Sequence, residues 1–183
     1  MLTTTFELSE ARWNAAPTFA QWLPTAQKNA DLWRAVYDRA RIPDDLAARA
    51  RALGGPWHLL VLSEDWCGDA VNSVPVAQRL VERAPNLDLR LLGRDANPDV
   101  MDAHLTGTSR SIPVVMMLDE RFRERGWWGP RPRELQEWVL GPGKAHPSDE
   151  KYREIRRWYA RHHGREIVEE IVAMMEKGAT TST

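Results

Sequence analysis

The stretch Ser63-Glu64-Asp65-Trp66-Cys67-Gly68-Asp69-Ala70 decides how this chain is read, because it holds the only cysteine and separates two segments of different periodicity. Upstream, Trp57, Leu59, Leu60, Val61 and Leu62 form a short apolar run of strand length. Downstream, Val71, Val74, Ala77, Leu80, Val81 and Ala84 recur at helical spacing. Cys67 therefore falls where a strand gives way to a helix. At such a junction the unpaired backbone N–H groups and the positive end of the helix dipole favour thiolate over thiol. Glu64, Asp65 and Asp69 oppose it by like-charge repulsion. The position makes Cys67 a candidate nucleophile, set against the ordinary role of a lone cysteine as a small buried apolar residue.

Further along, Thr108-Ser109-Arg110-Ser111-Ile112-Pro113 runs directly into the apolar segment Val114-Val115-Met116-Met117-Leu118. Together with the cysteine junction, this resembles the thioredoxin superfamily, whose signature is W-C-x-x-C between strand and helix and an Ile-Pro before a later strand. The resemblance covers about residues 56 to 140. It implies an α/β thioredoxin-like fold, a central mixed β-sheet flanked by helices, with a cis Ile112-Pro113 peptide beside the cysteine. Pro75 matches the proline that kinks the family's cysteine helix by removing one intrahelical hydrogen bond. Asn97 and Pro98 match a strand-to-helix link, as N-cap and first helical residue. Trp128-Gly129-Pro130-Arg131-Pro132 matches the loop after the last strand, which in thioredoxins flanks the active site. The W-C-G-D and W-G-P-R-P style is similar to a bacterial subgroup of uncharacterised thioredoxin-like proteins.

Two departures from the family bear on activity. Ala70 stands where the resolving cysteine belongs, and Val61 stands where many thioredoxins place a buried acid. Their joint loss is coherent, since that acid assists attack by the resolving thiol. The resemblance then implies a monothiol oxidoreductase: Cys67 as catalytic nucleophile, with Trp66, Gly68, Ile112, Pro113, Arg110 and Trp128 as the substrate-binding set. Backbone beside Pro113 would hold the substrate, Gly68 would permit close approach, and Trp66 and Trp128 would form an apolar platform around the thiol. Arg110 and Arg131 are candidates to supply positive charge or grip a carboxylate.

Outside the core, helices are expected at both ends. Thr18 and Gln21 can form a capping box, after which Phe19, Trp22, Leu23, Ala26, Ala30, Trp33, Tyr37 and Ala40 trace one stripe, interrupted by Pro24. A short helix is expected from about Asp44 to Leu53, stopped by Gly54-Gly55-Pro56. Residues 1–55 thus read as an N-terminal helical extension packed on the core, 56–140 as the core, and 141–183 as a C-terminal helix and tail, in one globular unit. That last helix is expected to open at Pro147-Ser148-Asp149-Glu150, bend at Gly164, and give way to a disordered tail from Gly178.

Composition narrows the function classes. In 183 residues with a formal charge of −1 there is no reason to expect nucleic acid or an anionic membrane as partner. A single cysteine rules out an internal disulfide framework and fits a reducing cytosol. The N-terminal residues show no basic segment followed by an apolar run, so no secretory signal is expected and a cytoplasmic location is. His162 and His163 are adjacent and point apart on a helix, so no metal site is expected from them. No cofactor is expected beyond glutathione or another low-molecular-weight thiol as co-substrate, with a disulfide-containing protein or such a thiol as partner. The function expected is thiol–disulfide exchange through one cysteine, with an external thiol resolving the mixed disulfide. The alternatives are a non-catalytic thioredoxin-fold binding module and a peroxide-sensing cysteine protein.

Overall fold

Leu59 to Leu62 and Val114 to Leu118 are fully buried, which places both segments at the centre of a sheet covered on its two faces. The computed structural model describes residues 6–180. Its strands are β1 (Trp57–Ser63), β2 (Leu87–Gly93), β3 (Val114–Leu118) and β4 (Glu124–Trp128), in the spatial order β2-β1-β3-β4. β1 pairs with β2 in parallel, Leu59 opposite Leu89, and with β3 antiparallel, Leu59 opposite Met117. β3 and β4 are antiparallel neighbours with a register shift at Met117 and Leu118. The result is a mixed four-stranded sheet flanked by helices, an α/β architecture.

The parallel pair requires a crossover. It is supplied by α5 (Gly68–Arg83), following α1 (Glu10–Ala15), α2 (Phe19–Trp22), α3 (Ala30–Arg39) and α4 (Asp44–Ala52). Pro75 lies inside α5, whose Ala70, Val71, Val74 and Ala77 are fully buried. α6 (Pro98–Asp102) begins at Pro98 after Asn97, although the Asn97 side chain donates to the Gly93 carbonyl rather than capping the helix. The Thr18–Gln21 capping box is formed, but the stripe after it is divided. Pro24 sits in a 3₁₀ turn, Leu23–Thr25, and Asn29 adopts the left-handed conformation before α3 starts.

After the sheet come α7 (Arg133–Leu140), a 3₁₀ turn, α8 (Ser148–His162) and α9 (Arg165–Thr180). The expected single C-terminal helix is therefore two. His163 and Gly164 are both left-handed, and a Cβ on Gly164 would stand 2.9 Å from Val76, so the break lets the chain pass close against α5. The expected disorder from Gly178 is also corrected as far as Thr180. Gly178 is buried in α9, where a Cβ would stand 2.8 Å from the Arg125 carbonyl oxygen, so the helix end packs directly on β4. Residues 181–183 of that tail, and residues 1–5, lie outside the described residues. Ile167, Val168, Ile171, Val172 and Met175 are fully buried along one stripe of α9. No helix among the described residues is long and apolar enough to cross a membrane.

Candidate functional site

Cys67 is the N-cap residue of α5, in extended conformation, at the end of the turn that leaves β1. Its N–H donates to the Glu64 carbonyl at 3.2 Å and its carbonyl accepts from Val71 at 3.0 Å, so the backbone is fixed on both sides. The thiol donates to the Ile112 carbonyl at 3.4 Å, across the cis Ile112–Pro113 peptide. Only 8% of Cys67 is exposed. Burial pushes the thiol above its ordinary range; the Ala70 amide pulls it back, the Asp69 carboxylate raises it again, and the Asp69 amide and Arg131 oppose that. The net direction is upward, so burial outweighs the helix terminus at this position.

Of the three neighbouring acids, two turn away from the sulfur. Glu64 accepts from the Asp95 amide at 3.0 Å. The Asp65 carboxylate accepts from the amides of Gln27 and Lys28 at 2.8 and 2.9 Å, while its carbonyl accepts from Asn29 and the Trp33 indole. Asp65 thus ties the cysteine turn to the segment leading into α3. Asp69 is buried, and burial raises its carboxyl above the usual range, against the pull of Arg131 at 2.6 Å and the Tyr159 hydroxyl at 3.0 Å. Tyr159 is itself raised well above an ordinary phenol by burial and by Asp69.

Arg131 arrives from the loop after β4, and the way that loop seats itself depends on a missing side chain. Gly129 has a φ of +136°, and a Cβ there would stand 2.1 Å from the Pro113 carbonyl oxygen. The loop therefore lies directly on the Ile112-Pro113 segment.

A cleft of about 550 Å³ opens at the cysteine. Trp66, Cys67, Gly68, Arg110 and Ile112 all line it, so most of the residues singled out in the sequence come together. Pro113 is buried and follows Ser111 and Ile112, which line the cleft, without lining it itself. A Cβ added to Gly68 would meet nothing within 4 Å, consistent with open space on the cleft side of the first helical turn. Arg110 is on the wall but not free: it makes a bidentate pair with Asp102, both contacts at 2.7 Å. Trp128 requires a correction. It is the last residue of β4, buried, and its indole donates to Glu170 of α9 at 2.8 Å, away from the cleft. A strand residue follows the pleat, and here the acceptor lies on α9.

Sequence reasoning missed the opposite wall. Asn29 and Leu32, from the start of α3, and Tyr152, Ile155 and Arg156, from α8, complete the cleft. Tyr152 and Ile155 carried an apolar signal, but one that reads equally as core packing. Among the described residues no group of His, Cys, Asp and Glu is arranged to hold a metal ion.

A family model described as thioredoxin, Thioredoxin_9, matches residues 16–153. No curated protein matches the chain. Among solved structures, the chain is similar to an HIV epitope-scaffold protein, with a TM-score of 0.72 and 19% identity over 92% of this chain and 98% of that one. It is also similar to a protein of unknown function from Pseudomonas aeruginosa, with a TM-score of 0.69 and 21% identity over the same shares. At these identities the two structures establish the fold alone.

Proposed function

Because this chain belongs to the thioredoxin family, we propose that it performs thiol–disulfide exchange through Cys67, with an external low-molecular-weight thiol resolving the mixed disulfide. The observation that carries this reading is the placement of the sulfur: at the start of α5, on the wall of an open cleft, with the Ile112 carbonyl beside it. In the first step Cys67 loses its proton to solvent in the cleft, and the thiolate attacks one sulfur of a disulfide. The S–S bond breaks, the leaving sulfur departs as thiolate and takes up a proton, and Cys67 is left oxidised in a mixed disulfide. In the second step an external thiolate, from glutathione or a similar thiol, attacks that mixed disulfide. The bond between Cys67 and the substrate sulfur breaks, Cys67 leaves as thiolate and takes up a proton, and the substrate sulfur departs joined to the sulfur of the external thiol. Ala70 offers no internal thiol for this second step. Such a cycle suits a reducing cytosol, where a lone cysteine stays reduced.

A second reading, a binding module without redox turnover, is favoured by one specific observation: the thiol is raised by burial and donates a hydrogen bond to the Ile112 carbonyl. Mass measurement after exposure to oxidised glutathione separates the two. Exchange requires an adduct on Cys67 that added thiol removes, and loss of disulfide-reducing activity in Cys67→Ser with the fold retained. A thiol that stays unmodified through mildly alkaline pH supports the binding module, and a persistent sulfenic acid after peroxide supports sensing.

A further inference from the structure

Three features of the cleft have no role in the exchange step itself. First, its second wall comes from α3 and α8, so the thiol is reached through a pocket rather than across an open face. Second, Leu32, Trp66 and Tyr152 are 46%, 47% and 55% exposed, and all three stand on this cleft; among the described residues Leu140 is the other large apolar side chain left so open. Exposed apolar surface gathered in one place marks a binding site. Third, the charge of the lining is one-sided. Four arginines and one carboxylate line the cleft of a chain whose formal charge is −1.

Three of those arginines are committed. Arg94 pairs with Asp95 at 2.8 Å and lies 4.9 Å over the Trp66 ring, Arg110 pairs with Asp102, and Arg131 pairs with Asp69 while its buried Nε–H has no partner. The side chain of Arg156, exposed on α8, makes no hydrogen bond or ion pair among the described residues. It also lines a second cavity of about 280 Å³ that shares Leu32 and Asn72 with the first, so Arg156 stands where two hollows meet.

Resting on the exchange reading, we propose that the substrate is a low-molecular-weight disulfide bearing carboxylates, with Arg156 receiving a carboxylate while its sulfur faces Cys67. The volume lies within the range of small-molecule sites, roughly 300 to 1,000 Å³. Helices α3 and α8, from the segments before and after the sheet, admit a small disulfide and hold the surface of a folded protein away from a sulfur that is nearly buried. The apolar collar covers the carbon chain, and Arg156, the one lining arginine without a carboxylate partner among the described residues, selects the anion over neutral and cationic analogues. The bonds made and broken are those of the exchange cycle above.

The test follows mass gain at Cys67 with three disulfides of matched size: dithiodipropionate, hydroxyethyl disulfide and cystamine, which are anionic, neutral and cationic. Each rate is divided by the rate with a neutral model thiol, which removes intrinsic leaving-group differences. The anionic compound should exceed the neutral one by about fivefold, as for a solvent-accessible ion pair, with the cationic compound slowest. In Arg156→Gln, and separately at high salt, the anionic-to-neutral ratio should fall toward one. The disulfides of insulin should remain intact. An anionic-to-neutral ratio near one in the unsubstituted protein, a ratio untouched by Arg156→Gln, or ready reduction of insulin overturns the proposal. If no compound modifies Cys67, the exchange reading fails, and calorimetry on Cys67→Ser decides the substrate class independently. Dithiodipropionate binding about fivefold tighter than hydroxyethyl disulfide, lost in the added Arg156→Gln, sustains it; equal binding of the two overturns it.

Discussion

Asp69 and Arg131 meet at 2.6 Å, and this contact joins the first turn of α5 to the loop after β4. The pair sits within electrostatic reach of the thiol, with opposite effects: Asp69 raises Cys67 and Arg131 lowers it. Beneath the larger effect of burial, the two residues therefore act on Cys67 in opposite senses from two parts of the chain that are far apart in sequence.

Asp69→Asn removes the charge that opposes ionisation and keeps the shape, while Arg131 remains to favour the thiolate. The Cys67 thiol should shift downward, and alkylation by neutral iodoacetamide at neutral pH should be severalfold faster than in the unsubstituted protein. Stability should drop by about 3 kcal/mol, because a largely buried guanidinium loses its carboxylate. Unchanged alkylation in a folded variant would show that Asp69 does not govern the thiol.

Gly129→Ala tests how the arginine-bearing loop is seated. A Cβ at 2.1 Å from the Pro113 oxygen cannot be absorbed by a side-chain rotation, and a φ of +136° is strained for any other residue. Urea unfolding should show a loss of at least about 3 kcal/mol. Gly68→Ala is the matched comparison. Nothing lies within 4 Å of the added carbon, and the residue opens a helix, so stability should hold or rise by up to about 1 kcal/mol. Equal losses at the two glycines would contradict this account of the loop.

Asp119, in the turn between β3 and β4, gives a pH dependence with a definite sign. Burial acts to raise its carboxyl, but the amides of Arg123 and Arg121 and the guanidinium groups of Arg125 and Arg123 outweigh it and lower the value to about 2. The folded value lies below the unfolded one, so its contribution is present above the unfolded value and is lost as pH falls through the folded value. It amounts to about 2.5 kcal/mol at neutral pH. Asp119→Asn should cost about 2 kcal/mol there, and the difference should close as pH approaches 2. A gap that stays constant across that window would mean that the charge is not what stabilises the turn.

The cysteine side of the cleft was legible in the sequence because local rules produce it. A strand run, a helical period and an Ile-Pro place Cys67 and Ile112 on adjacent elements, and pairing of β1 with β3 does the rest. The opposite wall was not legible, because it depends on where α3 and α8, which lie outside the sheet segment, dock. Arg156 in sequence is one charge in a charged helix; its place at the cleft is set by Tyr159 and Ile155 packing beneath it and by the break at Gly164. Trp128 was misplaced for a related reason: one residue of strand length decides which side of the sheet a side chain faces. Asp65 shows the same gap, since its role as the anchor for Gln27 and Lys28 follows only once the N-terminal segment is folded against the cysteine turn.

Position 70 offers the sharpest check on the geometry of that turn. The Ala70 amide is one of the groups that favour the Cys67 thiolate, and residues three apart at the start of a helix share one face. A cysteine there should stand at about 5 to 6 Å between Cα atoms, the separation a disulfide spans. Ala70 is fully buried, so the second sulfur enters a packed site and should lower the stability of the reduced form by about 1 to 2 kcal/mol. Under mild oxidation Ala70→Cys should lose both free thiols and two hydrogens in mass, without forming dimers. Turnover should nevertheless be slow, because Asp69 still raises Cys67 and the fully buried Val61 offers no carboxyl group to relay protons. Two titratable thiols persisting after oxidation would mean that the first turn of α5 does not hold the two positions together, and exchange at Cys67 would lose its structural footing.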